Sequence, residues 1–282
     1  MAFLADLPAR MEAGLFQRLP ALMPSLSGEE LQAEVHKAVL DTQVSPTINL
    51  NGLFSLCRDD VKLQRALQAM LQDLMEELLT LAALEGLSDA FFLHVAPNLG
   101  RDAEGKERLK PAQEGDVGST DIQFMLRGAI KEAGLLVLLN RHIAARTGKA
   151  PLGDDFNVRT APQEHQALIS LCEQAIPKEQ MPVLVGVGDT VTSTPTAEGN
   201  GWLRGGSDRG FLMLLQDIGV RYRQPNRVVL VDSSGGEVDR PSLSNNSLTG
   251  ISDPEDPLHF DLLMPGGPEQ YVAWFQQLAT RT

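Results

Sequence analysis

Apolar and polar positions along this chain follow two different periods. Over 59–84, Val61, Leu63, Leu67, Met70, Leu71, Leu74, Met75, Leu78, Leu79 and Leu81 recur at helical spacing, which predicts one long amphipathic helix ended by Gly86. Upstream, Leu31, Val35, Val39 and Leu40 keep the same spacing behind Ser27, an N-cap residue type followed by Glu29 and Glu30. Pro46 interrupts this pattern within SPTINLN, which reads as a loop. Short unbroken apolar runs mark strands instead: 90–96 (AFFLHVA) closed by Pro97, 183–187 (VLVGV), and 227–232 (RVVLVD). Helices are expected over 122–146 with a break near Gly128, and over 163–175, 208–218 and 268–279. The stretches 151–162 and 233–257 read as loops.

Helix, strand, helix, strand, helix over the second half is the grammar of βαβ units in a parallel sheet. The first part is mostly helix. The fold class is therefore α/β, half of a doubly wound sheet beside a largely helical α+β part. The charged, turn-rich stretch 100–121 (GRDAEGKERLKPAQEGDVGSTD) is the expected boundary. It gives a first region over 1–118 and a second over 119–282.

Charge changes this picture by exclusion. Lys plus Arg number 24 and Asp plus Glu 37, for a net charge of −13. That disfavours nonspecific binding to nucleic acid or to an anionic membrane surface, which need a positive field. No apolar run approaches the ~20 residues of a membrane span, and the first residues lack the basic stretch of a secretory signal. Cys57 and Cys172 show neither a metal-binding spacing nor a disulfide framework. Together these predict a cytoplasmic protein.

The candidate chemistry lies at strand and helix ends. VLVGVGDTVTS (183–193) reads as a buried strand that ends in a tight turn and presents Asp189. Ligands of open α/β sheets bind just outside such strand ends. Lys131 stands near the start of a helical run in GAIKEAGLLVLLN, and Asp208 just ahead of another in RGGSDRGFLMLLQ. One lysine and two acids so placed can serve phosphoryl transfer, the acids holding Mg²⁺ and the lysine balancing phosphate charge. Each also has a plainer explanation: a solvated lysine, a helix N-cap at Asp208, a turn satisfied by Asp189.

Other signals are weaker. GVGDTV lacks the third glycine of a dinucleotide fingerprint. GGSDRG has Arg209 where a nucleophile elbow needs glycine. His36, His94, His142, His165 and His259 show no zinc spacing.

The order Lys131 in GxxKEAxLxxLL, then VGVGDT, then an acid ahead of an amphipathic helix resembles the third and fourth motifs of haloacid-dehalogenase-like phosphatases. The strings SPTINLN, FFLHVAPNLGRD, GSTDIQFMLRGAIKEAGLLVLLNR, GVGDTVTS, RGGSDRGFL, VDSSGGEV and PGGPEQYVAWF are similar to one family among them, the glucosylglycerol-phosphate phosphatases of osmolyte synthesis in salt-stressed cyanobacteria. The resemblance implies a partial haloacid-dehalogenase-like Rossmannoid core with a substrate-specificity cap, and a Mg²⁺-dependent monoesterase. Lys131 would contact phosphate, Asp189 would ligate Mg²⁺, and Asp208 would be the supporting acid of the same motif, also counted with the metal. His94, Asn98, Arg101, Thr120, Asp121, Gln123 and Arg127 would recognise the sugar phosphate, or else fix the boundary loop. The synthase that makes the sugar phosphate is a candidate partner.

The resemblance also implies a nucleophile, an aspartate followed two residues later by a second one. No DxD occurs in these 282 residues. The expectation is a chain that starts inside the family sequence and turns over poorly alone, with the 183–187 strand left as an exposed edge. The alternative is a non-catalytic protein that binds the sugar phosphate or regulates its pathway.

Overall fold

Residues 2–42, 45–234, 240–243 and 247–280 are described by a computed structural model. They divide into two units, one running to Arg127 and one from Gly128 onward.

In the first unit, α1 (Ala2–Leu22) turns Leu7, Met11, Leu15 and Leu19 inward at four-residue spacing. It packs against the long helix α4 (Val61–Leu84), whose Leu67, Met70, Leu71, Leu74, Met75 and Leu78 are buried. Asp60 caps α4 by accepting the Leu63 amide at 3.0 Å. Between them lie α2 (Gly28–Ala38), β1 (Val39–Leu40), β2 (Thr47–Asn49) and α3 (Asn51–Leu56). The strands β3 (Phe91–Ala96) and β6 (Asp121–Leu126) complete an antiparallel sheet in the order β1-β2-β6-β3. A small hairpin, β4 (Asn98–Arg101) with β5 (Glu107–Leu109), forms a separate two-stranded sheet beside β3. The sheet alternates with period two. Ile48, Phe91, Val95, Ile122 and Phe124 face the helices in one apolar core, and the register aligns Thr47, Gln123 and His94 across the opposite face.

The second unit begins with α5 (Lys131–Thr147) and α6 (His165–Ala175). Its sheet is parallel, in the order β11-β10-β7: β7 (Val185–Gly188), β10 (Arg227–Val231) and β11 (Leu262–Met264). A hairpin of β8 (Thr192–Pro195) and β9 (Trp202–Gly205) follows β7, and α7 (Arg209–Tyr222) links it to β10. Tyr271 and Trp274 of α8 (Gly267–Ala279) cover Val229, Val231 and Met264. β7 is an edge of this sheet, and Val183 and Val185 are about half exposed.

Several expectations are corrected. Val39 and Leu40 leave the helix and pair with β2. The expected loop around SPTINLN contains β2, because Thr47–Asn49 finds a ladder on β6. The start of the expected 122–146 helix is β6, paired to β3 over Phe91–Ala96, so the helix begins at Lys131. This moves the boundary from 118/119 to Arg127/Gly128. The hairpin β8–β9 and the strand β11 carried no clear apolar run. What stands is a mixed α/β protein with a parallel sheet in its second half.

Candidate active site

Asp189 is the first residue after β7, at the carboxyl end of the parallel sheet. Gly188 precedes it for a steric reason. A Cβ at Gly188 would lie 2.9 Å from both Asp208 Cβ and Leu212 Cδ1, so only glycine lets the start of α7 approach the strand this closely. Gly206 makes the opposite turn with φ +95°, where a Cβ would lie 2.4 Å from the Thr190 carbonyl oxygen. The two glycines seat the Asp208 carboxylate against the turn. Its Oδ2 accepts the Asp189 amide at 2.8 Å and the Thr190 amide at 3.0 Å, and its Oδ1 accepts Lys131 Nζ. Asp208 stands at the N-cap position of α7, as the plainer explanation had it, but its side chain caps no amide of that helix. It is a buried brace between β7, α7 and α5.

Lys131 is the first residue of α5. Its ammonium holds Asp208 and lies 3.4 Å from Ser207 Oγ, while its side chain stays half exposed. Asp189 is itself held by a cation: Arg240 Nη1 donates to Asp189 Oδ2 at 2.6 Å and to Ser233 Oγ at 3.0 Å. Thr190 Oγ1 donates to Asp189 Oδ1 at 2.9 Å. Burial pushes the Asp189 carboxyl up, but the Arg240 charge and the Thr190 hydroxyl outweigh it and hold it below the usual range. At the end of β10, Asp232 accepts Ser234 N and Oγ, Ser242 Oγ and Leu243 N, which brings Ser242 and Leu243 back to the strand end.

Lys131, Asp189 and Asp208 therefore do converge. Arg240, Thr190 and Ser233 join them and were not singled out from the sequence. Arg240 sits in a polar stretch with no periodicity to mark it.

A divalent cation at this site would find one solvent-exposed carboxylate, Asp189, whose oxygens also accept hydrogen bonds from Thr190 and Arg240. Among the described residues no group of three or more His, Cys, Asp or Glu side chains could hold a metal. That donor set suits a hard cation such as magnesium, which keeps waters and takes phosphate oxygens beside one or two carboxylates. The guanidinium on Oδ2 marks the place where positive charge is stabilised. Asp208 does not fit as a direct ligand: it is 5% exposed and both its oxygens are taken by Lys131 and two amides.

The residues expected to recognise the sugar lie in the first unit, and they separate by exposure. Thr120 is fully buried and Asn98 nearly so. The Asn98 amide group donates to Val95 O and Glu107 Oε2 and accepts the Gly100 amide. Asn98 thereby holds the turn between β3 and β4, while the Thr120 amide donates to Ala96 O at 3.0 Å and its hydroxyl to Asp121 Oδ2 at 3.0 Å. His94 and Gln123 are cross-strand neighbours on the polar sheet face, and Asp121 lies two residues along. Arg101 and Arg127 are exposed. Glu107, absent from the expectation, organises this corner. Its carboxylate is 8% exposed and takes His94 Nδ1 at 2.8 Å, the Val95 amide at 2.8 Å and Arg101 at 3.6 Å. No helix among the described residues is long and apolar enough to cross a membrane.

Comparison with known proteins adds to this geometry. A family profile described as glucosylglycerol-phosphate phosphatase matches residues 1–279. The chain is similar to a glucosylglycerol-phosphate phosphatase of Synechocystis sp. (strain ATCC 27184 / PCC 6803 / Kazusa), with 44% identity over 292 aligned residues, covering 100% of this chain and 69% of that protein. No solved structure matches.

Proposed function

The chain belongs to the glucosylglycerol-phosphate phosphatase family and is a phosphatase by that membership, and from that premise we propose that its second unit, with a haloacid-dehalogenase-like core, binds the phosphoryl group of glucosylglycerol phosphate at the ends of β7 and β10. The observation that carries this reading is the charge balance of the site. Lys131 and Arg240 oppose Asp189 and Asp208 within one hydrogen-bonded cluster, so the four groups sum to zero. A phosphate dianion entering this cluster needs two further positive charges, and one Mg²⁺ supplies them.

When bound at Asp189, Mg²⁺ would polarise the phosphoryl oxygens. The chain's own groups do the rest. Lys131, with its ammonium half exposed, presents positive charge to a phosphate oxygen. Asp208 sets the direction of that ammonium and, through the Asp189 and Thr190 amides, the course of the backbone that presents Asp189. In the first unit taken by itself, His94, Asp121 and Gln123 on the polar sheet face are proposed as groups able to bind sugar hydroxyls, with Glu107 fixing the orientation of His94. Arg101 and Arg127 are placed at the margin of that face. We extend the reading to osmolyte synthesis in the cytoplasm, with the synthase of the same sugar phosphate as the proposed source of substrate.

The family resemblance calls for an aspartate nucleophile with a second aspartate two residues on, and no such pair occurs in these 282 residues. The residues described are given phosphate-binding and cation-holding roles, and no nucleophile is assigned among them. That same observation favours a second reading, a sugar-phosphate-binding protein without turnover. Phosphate release from glucosylglycerol phosphate with Mg²⁺ separates the two, read beside calorimetric binding. Release that disappears in Asp189→Asn upholds the phosphatase site. Binding without release upholds the second reading. Neither binding nor release overturns both.

A further inference from the structure

Three arginine–aspartate pairs stand around the β7 turn, and they are not built alike. Arg204 grips Asp253 with two nitrogens, Nε at 2.8 Å and Nη2 at 2.7 Å, and the Asp253 side chain is fully buried. Arg209 grips Asp256 with Nη1 at 2.8 Å and Nη2 at 2.7 Å, and the Asp256 side chain is 1% exposed. Both are closed, two-pronged pairs of the strong kind. Arg240 touches Asp189 through Nη1 alone, and the Asp189 side chain is 44% exposed. Its Nε–H is buried and has no hydrogen-bond partner. A buried donor left unpaired is rare in a settled structure and costs the desolvation of that group. The first two pairs are buried and closed on both prongs. The third is made loosely, on the one carboxylate of the site that a cation is expected to take.

We infer that Arg240 is an exchangeable counter-cation for Asp189. It neutralises Oδ2 while no metal is bound, is displaced from Oδ2 by a divalent cation, and then offers its guanidinium to the phosphate. This rests on the phosphatase reading above. No bond is made or broken: one positive charge leaves Oδ2, two arrive, and the freed charge meets the incoming anion. Guanidinium suits both partners, since its fork matches carboxylate and phosphate alike. Coupling follows. The metal must compete with Arg240, and the metal-bound form holds phosphate more tightly because Arg240 is then free to take it.

The test is a binding measurement on the full chain, without turnover. Mn²⁺ serves as the probe, followed by the electron paramagnetic resonance of free ion and by calorimetry. Arg240→Gln should bind Mn²⁺ more tightly than the unaltered protein, on the order of tenfold for a coupling of ordinary size. At saturating Mn²⁺ it should bind inorganic phosphate more weakly by a similar factor. If Arg240 only anchors its loop, Arg240→Gln binds Mn²⁺ equally or less well, and the proposal fails. Asp189→Asn keeps the two levels apart: if it binds Mn²⁺ as well as the unaltered chain does, the metal does not sit on Asp189 and the underlying phosphatase reading fails with it. Should Arg240→Gln not fold, the unaltered protein carries the test. Its Arg240 Nε–H, buried and assigned through Arg240→Lys, should shift in the ¹⁵N spectrum on Mg²⁺ addition. An unmoved signal at saturating metal overturns the exchange.

Discussion

The two units bury different things. In the first, one apolar cluster runs from α1 through α4 to the sheet, and most polar groups it buries are neutral: Thr47, Gln64, Gln68, Asn98, Ser119 and Thr120. Gln68 alone bonds the carbonyls of Lys110, Val117 and Ser119 and the Ala112 amide, tying a loop to α4 without a charge. In the second unit the apolar side chains fall into three smaller clusters, and Asp208, Arg209, Asp232 and Asp256 are buried. The contrast teaches where the chemistry can reside. Buried charge is expensive unless paired, and here it is gathered where strands end and loops must be held to shape.

The comparison breaks most visibly at Arg209. Arg209→Ala leaves Asp256 buried without its counter-charge and should destabilise the second unit by about 3–5 kcal/mol. Urea unfolding followed by hydrogen exchange on peptides from each unit should show the loss after Gly128 and leave earlier peptides protected. The matching change in the first unit is Leu71→Ala, from a side chain 1% exposed. It removes apolar packing and should cost about 3 kcal/mol, with the loss before Arg127.

Acid sharpens the contrast. Hydrogen bonds from Arg204 hold the Asp253 carboxyl far below the usual range. Asp256 and Asp232 are also held low, since hydrogen bonds from Arg209 and from Ser234 respectively outweigh burial. A carboxyl whose pKa is lower folded than unfolded contributes stability above the unfolded value, near 4, and loses it as pH falls through the folded value. In the first unit Glu76 is similarly held low. The second unit should therefore lose protection first as pH drops from about 4 toward 2. Equal loss in both units would refute the contrast.

Smaller effects follow at single contacts. Glu107→Gln removes the charge that His94 and Arg101 face and should destabilise the first unit by about 1–3 kcal/mol, while weakening calorimetric binding of the sugar phosphate. Glu77→Gln breaks an exposed pair with Arg18 and should change stability by less than about 1 kcal/mol, measurable as an unchanged urea midpoint.

Much of this organisation was legible in the sequence because apolar periodicity reports burial. The α4 face, β3, β7, β10 and the helices over 165–175, 209–222 and 267–279 all follow from it. β6 escaped because Asp121–Leu126 runs directly into the apolar start of α5, and only pairing with β3 separates them. β2 escaped because Pro46 masks a short strand that exists through its ladder with β6. At the site, Asp189, Asp208 and Lys131 were readable because each stands at the end of a periodic element. Asp208 was misassigned as a metal ligand because sequence shows an acid before a helix but not the two amides that fill its oxygen. Arg240 and Glu107 were unreadable because each acts across the fold, on partners 51 and 13 positions away in the case of Asp189 and His94.

The helix α7 joins these themes mechanically. Leu214, Ile218 and Tyr222 on it are packed in the cluster shared with α5 and α6, and Leu212 and Leu215 in the one shared with β10. Its 14 residues span about 21 Å, with Asp208 at one tip and Tyr222, whose hydroxyl donates to Ile176 O at 3.1 Å, at the other. It is a rigid lever with its fulcrum in the apolar packing. A tilt of roughly 3° about the Tyr222 end would swing the Asp208 tip by about 1 Å, a displacement large enough to matter to catalysis.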